Sequence, residues 1–177
     1  ILNIAFFVVI LFSAFSKRGG FVTTKASMYI YAFILGILTG STYIYYFARL
    51  GPEIFIACVV GVLLVFAFAY FFAARSSEEK IMRLSPIIWG GILALLILEF
   101  INIFFFRFGV YDLLLSTAGI LIYSLYAIYV MKSIQNRCRY GRLSEGEVVA
   151  LSYSIFISFL NLLLDLLRFM SIISDDN

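Results

Sequence analysis

An all-α membrane bundle is the fold class this sequence predicts, and three observations predict it. Apolar residues arrive in long runs separated by short polar gaps. The chain is 64% hydrophobic and 13% charged, where soluble domains hold roughly 45–50% and about 25%. A soluble domain of 177 residues lacks the interior to hide that much apolar surface. Third, ten of the thirteen Lys and Arg residues lie in every second gap. Gap one holds Lys17, Arg18 and Lys25; gap three holds Arg75, Lys80 and Arg83; gap five holds Lys132, Arg137, Arg139 and Arg142. The intervening gaps hold only Arg49 and Arg107, and Arg168 lies near the end. Lys and Arg mark the cytoplasmic flanks of membrane helices, so the odd-numbered gaps are predicted to lie inside. The expected architecture is a polytopic transmembrane helical bundle forming one domain over residues 1–177.

A crossing needs about 20 apolar residues. Ile1 to Phe15 is a short first run, and Ser27 to Ala48 is the second. Ile54 to Ala74 is the third, entered through Gly51 and Pro52; proline suits a first helical turn because its missing N–H is not needed there. Pro86 to Phe106 is the fourth, again opened by proline. Tyr111 to Met131 is the fifth and Val148 to Met170 the sixth, followed by a short acidic tail. Six crossings put both ends on one side, the outside by the charge rule, so a chain begun in the cytoplasm would carry one more helix ahead of Ile1. Aromatic groups at the span ends, such as Tyr43, Tyr45 and Tyr46 or Phe104 to Phe106, fit interfacial belts. Gly36 and Gly40 form a GxxxG, a spacing that lets helix backbones approach.

Several classes of function are disfavoured. The net charge of +3 is accounted for by the inside loops and does not build the concentrated basic face that nucleic acid requires. The absence of histidine removes the usual zinc, haem and triad chemistry. Cys58 and Cys138 fall near opposite ends of their spans, which argues against a disulfide. No nucleophile elbow, zinc-protease motif or phosphate-cradling glycine loop occurs, so neither an enzyme nor a resident cofactor is expected.

Polar residues within apolar spans are costly, and ionisable ones are functional candidates. On the last span Ser154, Ser158, Asn161, Asp165 and Arg168 are spaced 4, 3, 4 and 3, which is one helical face. That face is predicted to turn toward other helices or a water-filled cleft rather than lipid. Asp165 and Arg168 are close enough in sequence to pair. Glu99 lies seven residues before the end of its span, about 10 Å deep, with Asn102 on the same face. Counting residues places Glu99 and Asp165 in the outer half, where they are expected either to approach one another or share a cation, or each to be neutral or separately hydrogen-bonded. Asp112 and Glu53, at span edges, are expected to be solvated, as is a loop containing Glu78, Glu79 and Lys80.

Four segments carry a family resemblance: "YAFILGILTG" from Tyr31, "FINIFF" from Phe100, "GILIYSLYAIY" from Gly119 and "FLNLLLDLLRFMSIISDD" from Phe159. They keep their order across almost the whole chain, and together the chain resembles the Bax inhibitor-1 (transmembrane Bax inhibitor motif) family, nearest to its bacterial calcium-leak members. The resemblance implies seven helices and a calcium leak associated with an aspartate pair on the last two helices. That pair shares a proton and links the gate to pH, because adjacent carboxylates resist simultaneous ionisation. A basic residue with a latching role is also implied, and Arg18 falls there. The aspartate positions depart from the pattern: the first falls on Val130, after Tyr129, and the second on Ser158, or on Phe156 if the alignment is anchored on Ala150 to Ser152.

The function expected is therefore an integral-membrane cation leak channel or exchanger, with Ca²⁺ implied by resemblance. Its ion pathway or gate would use Glu99, Asn102, Ser154, Ser158, Asn161, Asp165, Arg168 and Arg18, with Glu99 and Asp165 as a weak, transient Ca²⁺ site. The alternative is a non-conducting regulator of stress or cell death acting through other membrane proteins. Expected partners are the lipid bilayer and cations, in a bacterial plasma membrane or a eukaryotic endomembrane.

Overall fold

The computed structural model describes residues 25–105, 109–139, 141 and 144–175. They form α1 (Lys25–Arg75), α2 (Glu78–Arg83), α3 (Ser85–Phe105), α4 (Gly109–Arg139) and α5 (Glu145–Asp175), with no strand among the described residues. Four helical stretches are long and apolar enough to cross a membrane, within Thr39–Arg75, Glu78–Asn102, Tyr111–Arg139 and Glu145–Ser174, and Met28–Ile37 is a shorter apolar stretch. The first predicted run, with Lys17 and Arg18, lies outside the described residues.

Helix α1 is interrupted at Gly51, whose φ of 80° and ψ of 165° lie in a region essentially reserved for glycine. Pro52 follows, and a residue before proline is pushed to extended ψ. The sequence signal Gly-Pro thus turns the chain within one residue. Tyr43 bonds the carbonyl of Leu160, while Phe66 packs on Phe159. A straight helix would hold Tyr43 and Phe66 about 35 Å apart, yet they meet consecutive residues of α5. The two arms of α1 therefore run in opposite directions. The first arm is parallel to α5, with Tyr31 against Tyr153 and Tyr43 at Leu160. The second is antiparallel, with Gly61 against Leu166 and Phe66 against Phe159.

Helices α4 and α5 are antiparallel, as Gly119 against Asp165 and Arg137 with Glu147 show. Helix α3 is antiparallel to α4, with Trp89 on Tyr126 and Asn102 on Asp112. These directions gather Lys25, Arg75, Lys80, Arg83, Lys132, Arg137 and Arg139 at one end of the bundle. The core takes Cys58 and Val62 from α1, Ile88, Ile92, Leu95 and Leu96 from α3, Leu115 and Tyr123 from α4, and Leu162, Leu163 and Leu167 from α5. Large apolar residues such as Phe33, Ile44, Leu64, Phe68, Ile87 and Leu121 face outward, as expected where lipid is the solvent.

Three local expectations are revised. Residues 78–80 begin α2 rather than a loop: Glu78 and Glu79 occupy its first turn, Lys80 and Arg83 its last, and Ile81 anchors it in the core. This charge order suits the helix dipole. Gly36 and Gly40 face open space among the described residues; close approach occurs instead at Gly61, Gly91 and Gly119. Lys132, read from sequence as a loop charge, is 5% exposed, and its Nζ donates to the carbonyls of Ala73 (3.0 Å) and Ser76 (2.6 Å). It satisfies carbonyls that the end of α1 leaves without helical partners.

Candidate functional site

The polar face of α5 turns inward. Ser158 is fully buried, Asn161 and Asp165 are buried, and Ser154 and Arg168 are half-buried. In the inner part of this face each polar group is met by its own helix: Ser154 Oγ donates to Ala150 O (2.9 Å), Ser158 Oγ to Ser154 O (2.7 Å), and Asn161 Nδ2 to Ile157 O (3.0 Å). Back-bonding of this kind lets small polar side chains sit in an apolar span without a stranded donor. Tyr43 Oη donates to Leu160 O beside Asn161 at 3.0 Å, so the first arm of α1 closes over the middle of the face.

At the outer end the residues converge. Helix α3 buries Ile88, Ile92, Leu95 and Leu96, and the same helical face continues one turn later as Glu99 and Asn102. Glu99 Oε1 accepts from Arg168 Nη1 at 3.0 Å. The same nitrogen lies 3.8 Å from Asp165 Oδ1, an ion-pair separation longer than a hydrogen bond. Side-chain exposures are 34% for Glu99, 29% for Arg168 and 7% for Asp165. Tyr46 of α1 lies beside Arg168, and Tyr123 of α4 lies near both carboxylates. The guanidinium thus brings α1, α3 and α5 together at one point, with five donors spread over a planar fork where lysine has three on a single atom.

Asn102, on the face of Glu99, does not reach Arg168; its Nδ2 donates to Asp112 of α4. Asp112 is accordingly half-buried and bonded rather than solvated, whereas Glu53 is exposed. Asn102 Oδ1 is buried without a hydrogen-bond partner among the described residues. Val130 is buried on α4. The register set by Gly119 with Asp165, Tyr126 with Ser154 and Arg137 with Glu147 places it opposite residues 150 to 154, one to two turns inward of Ser158. Arg18 lies outside the described residues.

Gly119 is a site residue that sequence reasoning missed. A methyl group built there would come within 2.6 Å of Asp165 Cγ, and closer to Oδ2. The Asp165 carboxylate therefore presses its Oδ2 end against the α4 backbone, in space that only a glycine leaves open. A glycine opposite an intramembrane acid was the available signal, but it needs the α4–α5 register to be recognised.

Residues 1–175 match the family described as "Inhibitor of apoptosis-promoting Bax1". The chain belongs to the Bax inhibitor-1 family. It is also 26% identical over 146 residues to the uncharacterized protein YrjE of Lactococcus lactis subsp. lactis (strain IL1403), a match covering 80% of this chain and 59% of that protein. The chain thus spans less than two thirds of this curated relative. Membership of the Bax inhibitor-1 family and the long apolar helices together identify an integral membrane protein.

The outer cluster can hold one positive charge between two negative ones. A resident Ca²⁺ ion takes six to eight oxygen ligands. Among the described residues no three His, Cys, Asp or Glu side chains converge to supply such a cage, and the Glu99–Asp165 pair already holds the Arg168 guanidinium.

Proposed function

We propose that this Bax inhibitor-1 family member conducts cations, with Ca²⁺ as its ion, through a path along the polar face of α5. The observation that carries the reading is the continuous inward stripe of Ser154, Ser158, Asn161 and Asp165, ending at Glu99 across the bundle. Carboxylate, amide and hydroxyl oxygens are hard ligands suited to Ca²⁺. A path with few acids binds the ion weakly and releases it readily, which favours a leak over a store. In this reading α3, α4, α5 and the two arms of α1 are five crossings. Calcium is cargo, no catalytic step is assigned, and Arg18 is reserved for gating by family resemblance.

A second reading is favoured by two observations. The hydroxyls of Ser154 and Ser158 and the amide of Asn161 spend their protons on their own helix, and by family resemblance Val130 stands where the first family aspartate would fall. A bundle closed in this way suits a non-conducting regulator that acts by binding other membrane proteins. Ca²⁺ entry into dye-loaded proteoliposomes, followed at mildly acidic, neutral and mildly alkaline pH, separates the two. Entry above that of protein-free liposomes supports conduction. No entry at any pH, from protein whose helicity is verified by circular dichroism, supports the regulator.

A further inference from the structure

We infer that Arg168 is a tethered counter-ion, a built-in competitor that occupies the place between Glu99 and Asp165 which a mobile divalent cation would otherwise take. One guanidinium nitrogen serves both carboxylates, at 3.0 Å from Glu99 Oε1 and 3.8 Å from Asp165 Oδ1. Those distances keep the two oxygens within about 7 Å of each other, and a Ca²⁺ ion with ligands at about 2.4 Å requires about 5 Å. Rotation of the half-buried Glu99 side chain can supply the difference. The carboxylates come from different helices, α3 and α5, and Asp165 is fixed against the Gly119 backbone. Two neighbouring carboxylates repel one another when both are ionised, so a positive charge between them stabilises the ionised pair, and a buried ionised carboxylate stripped of its partner is strongly unfavourable.

Among the described residues the cluster carries two acids and one base, and Asp112 adds a further acid close to Tyr46, so the cluster itself is net negative and attracts cations. Arginine suits the competing role because it is always protonated and is more weakly hydrated than an ammonium ion. Its tether raises its local concentration far above that of any free ion. Entry of a cation at this point therefore means displacement of Arg168 toward Tyr46 or the outer surface, and the affinity of the carboxylate pair for free cations is set by how readily the guanidinium yields.

The binding part of this inference stands without conduction; its flux part rests on the cation-pathway reading. The test uses the purified protein in detergent, with Tb³⁺ luminescence excited through tyrosine, and with Ca²⁺ competition. In R168Q, Tb³⁺ should bind at least tenfold more tightly than in the wild type, Ca²⁺ should displace it, and the gain should vanish in E99Q/R168Q and in D165N/R168Q. Equal titrations for R168Q and the wild type overturn the inference, as does a gain that survives loss of either carboxylate. If R168Q does not fold, R168K supplies the test: a single point charge holds two carboxylates less well, so Tb³⁺ binding should again tighten, and titrations matching the wild type overturn the proposal. In proteoliposomes that leak Ca²⁺ as wild type, R168Q should leak several-fold faster. Tightened binding in a protein that never leaks would retain the counter-ion and refute the pathway.

Discussion

Replacing Gly119 with alanine tests the site through one methyl group. A Cβ at this position would sit 2.6 Å from Asp165 Cγ, well inside van der Waals contact at about 3.5–4.0 Å. Asp165 is buried, its carboxylate forms the near surface, and it cannot swing away without losing its place beside Arg168. Overpacking of this kind costs about 1–3 kcal/mol. Alanine in a helix interior gains about 0.8–1 kcal/mol over glycine. The two effects oppose each other, so G119A alone should cost about 0–2 kcal/mol, a range too close to neutral to decide the matter. The informative quantity is the difference between backgrounds. In D165A the obstructing carboxylate is gone, only the helical gain remains, and G119A should stabilise by about 1 kcal/mol. Equilibrium unfolding in mixed micelles, followed by tyrosine fluorescence or circular dichroism, should then give a coupling of about 1–3 kcal/mol. Equal effects of G119A in both backgrounds would refute the close packing of Asp165 on α4.

The other structural predictions use the same unfolding measurement. K132M removes two charge-assisted bonds to the buried end of α1 and should cost about 1.5–3 kcal/mol; an unchanged stability would show that the lysine is not the cap. K132R, which keeps donors and charge, should recover part of that loss. G51A places a Cβ on a residue with φ of 80° and ψ of 165° and should cost about 1–3 kcal/mol. G36A, where no neighbour among the described residues lies within 4 Å, should be neutral or slightly stabilising, and a G51A as harmless as G36A would contradict the turn between the arms.

The helical spans were legible because bilayer thickness and charge placement act on stretches of about 20 residues. The run from Pro86 to Phe106 corresponds closely to α3 (Ser85–Phe105), and Gly51 with Pro52 marked the turn inside α1 (Lys25–Arg75). The inward face of α5 was legible because its polar residues recur at helical spacing against an apolar ground. Faces of purely apolar helices were not, since lipid and the protein core select the same side chains. For that reason Gly36 and Gly40 looked like packing positions, while among the described residues Gly61, Gly91 and Gly119 make the close approaches. Helical spacing brought Asp165 to Arg168, and counting depth brought Glu99 and Asp165 to one level, but the bond from Arg168 to Glu99 was not legible, because which helices adjoin depends on contacts distant in sequence. Asp112 was misread for the same reason: its partner, Asn102, lies across the α3–α4 turn. Lys132 was hidden by the rule that identified its neighbours, since a lysine capping a buried helix end and one facing the cytoplasm share the same sequence position.

The central claim is that a cation path runs along α5 and passes the Glu99–Asp165 pair. Its most direct test is Ca²⁺ entry into dye-loaded proteoliposomes, comparing the wild type with E99Q/D165N at equal, verified reconstitution. The account predicts measurable entry for the wild type and at least a several-fold loss when both acids are neutralised. Entry that is unchanged in the double variant, or absent from the folded wild type, would contradict it.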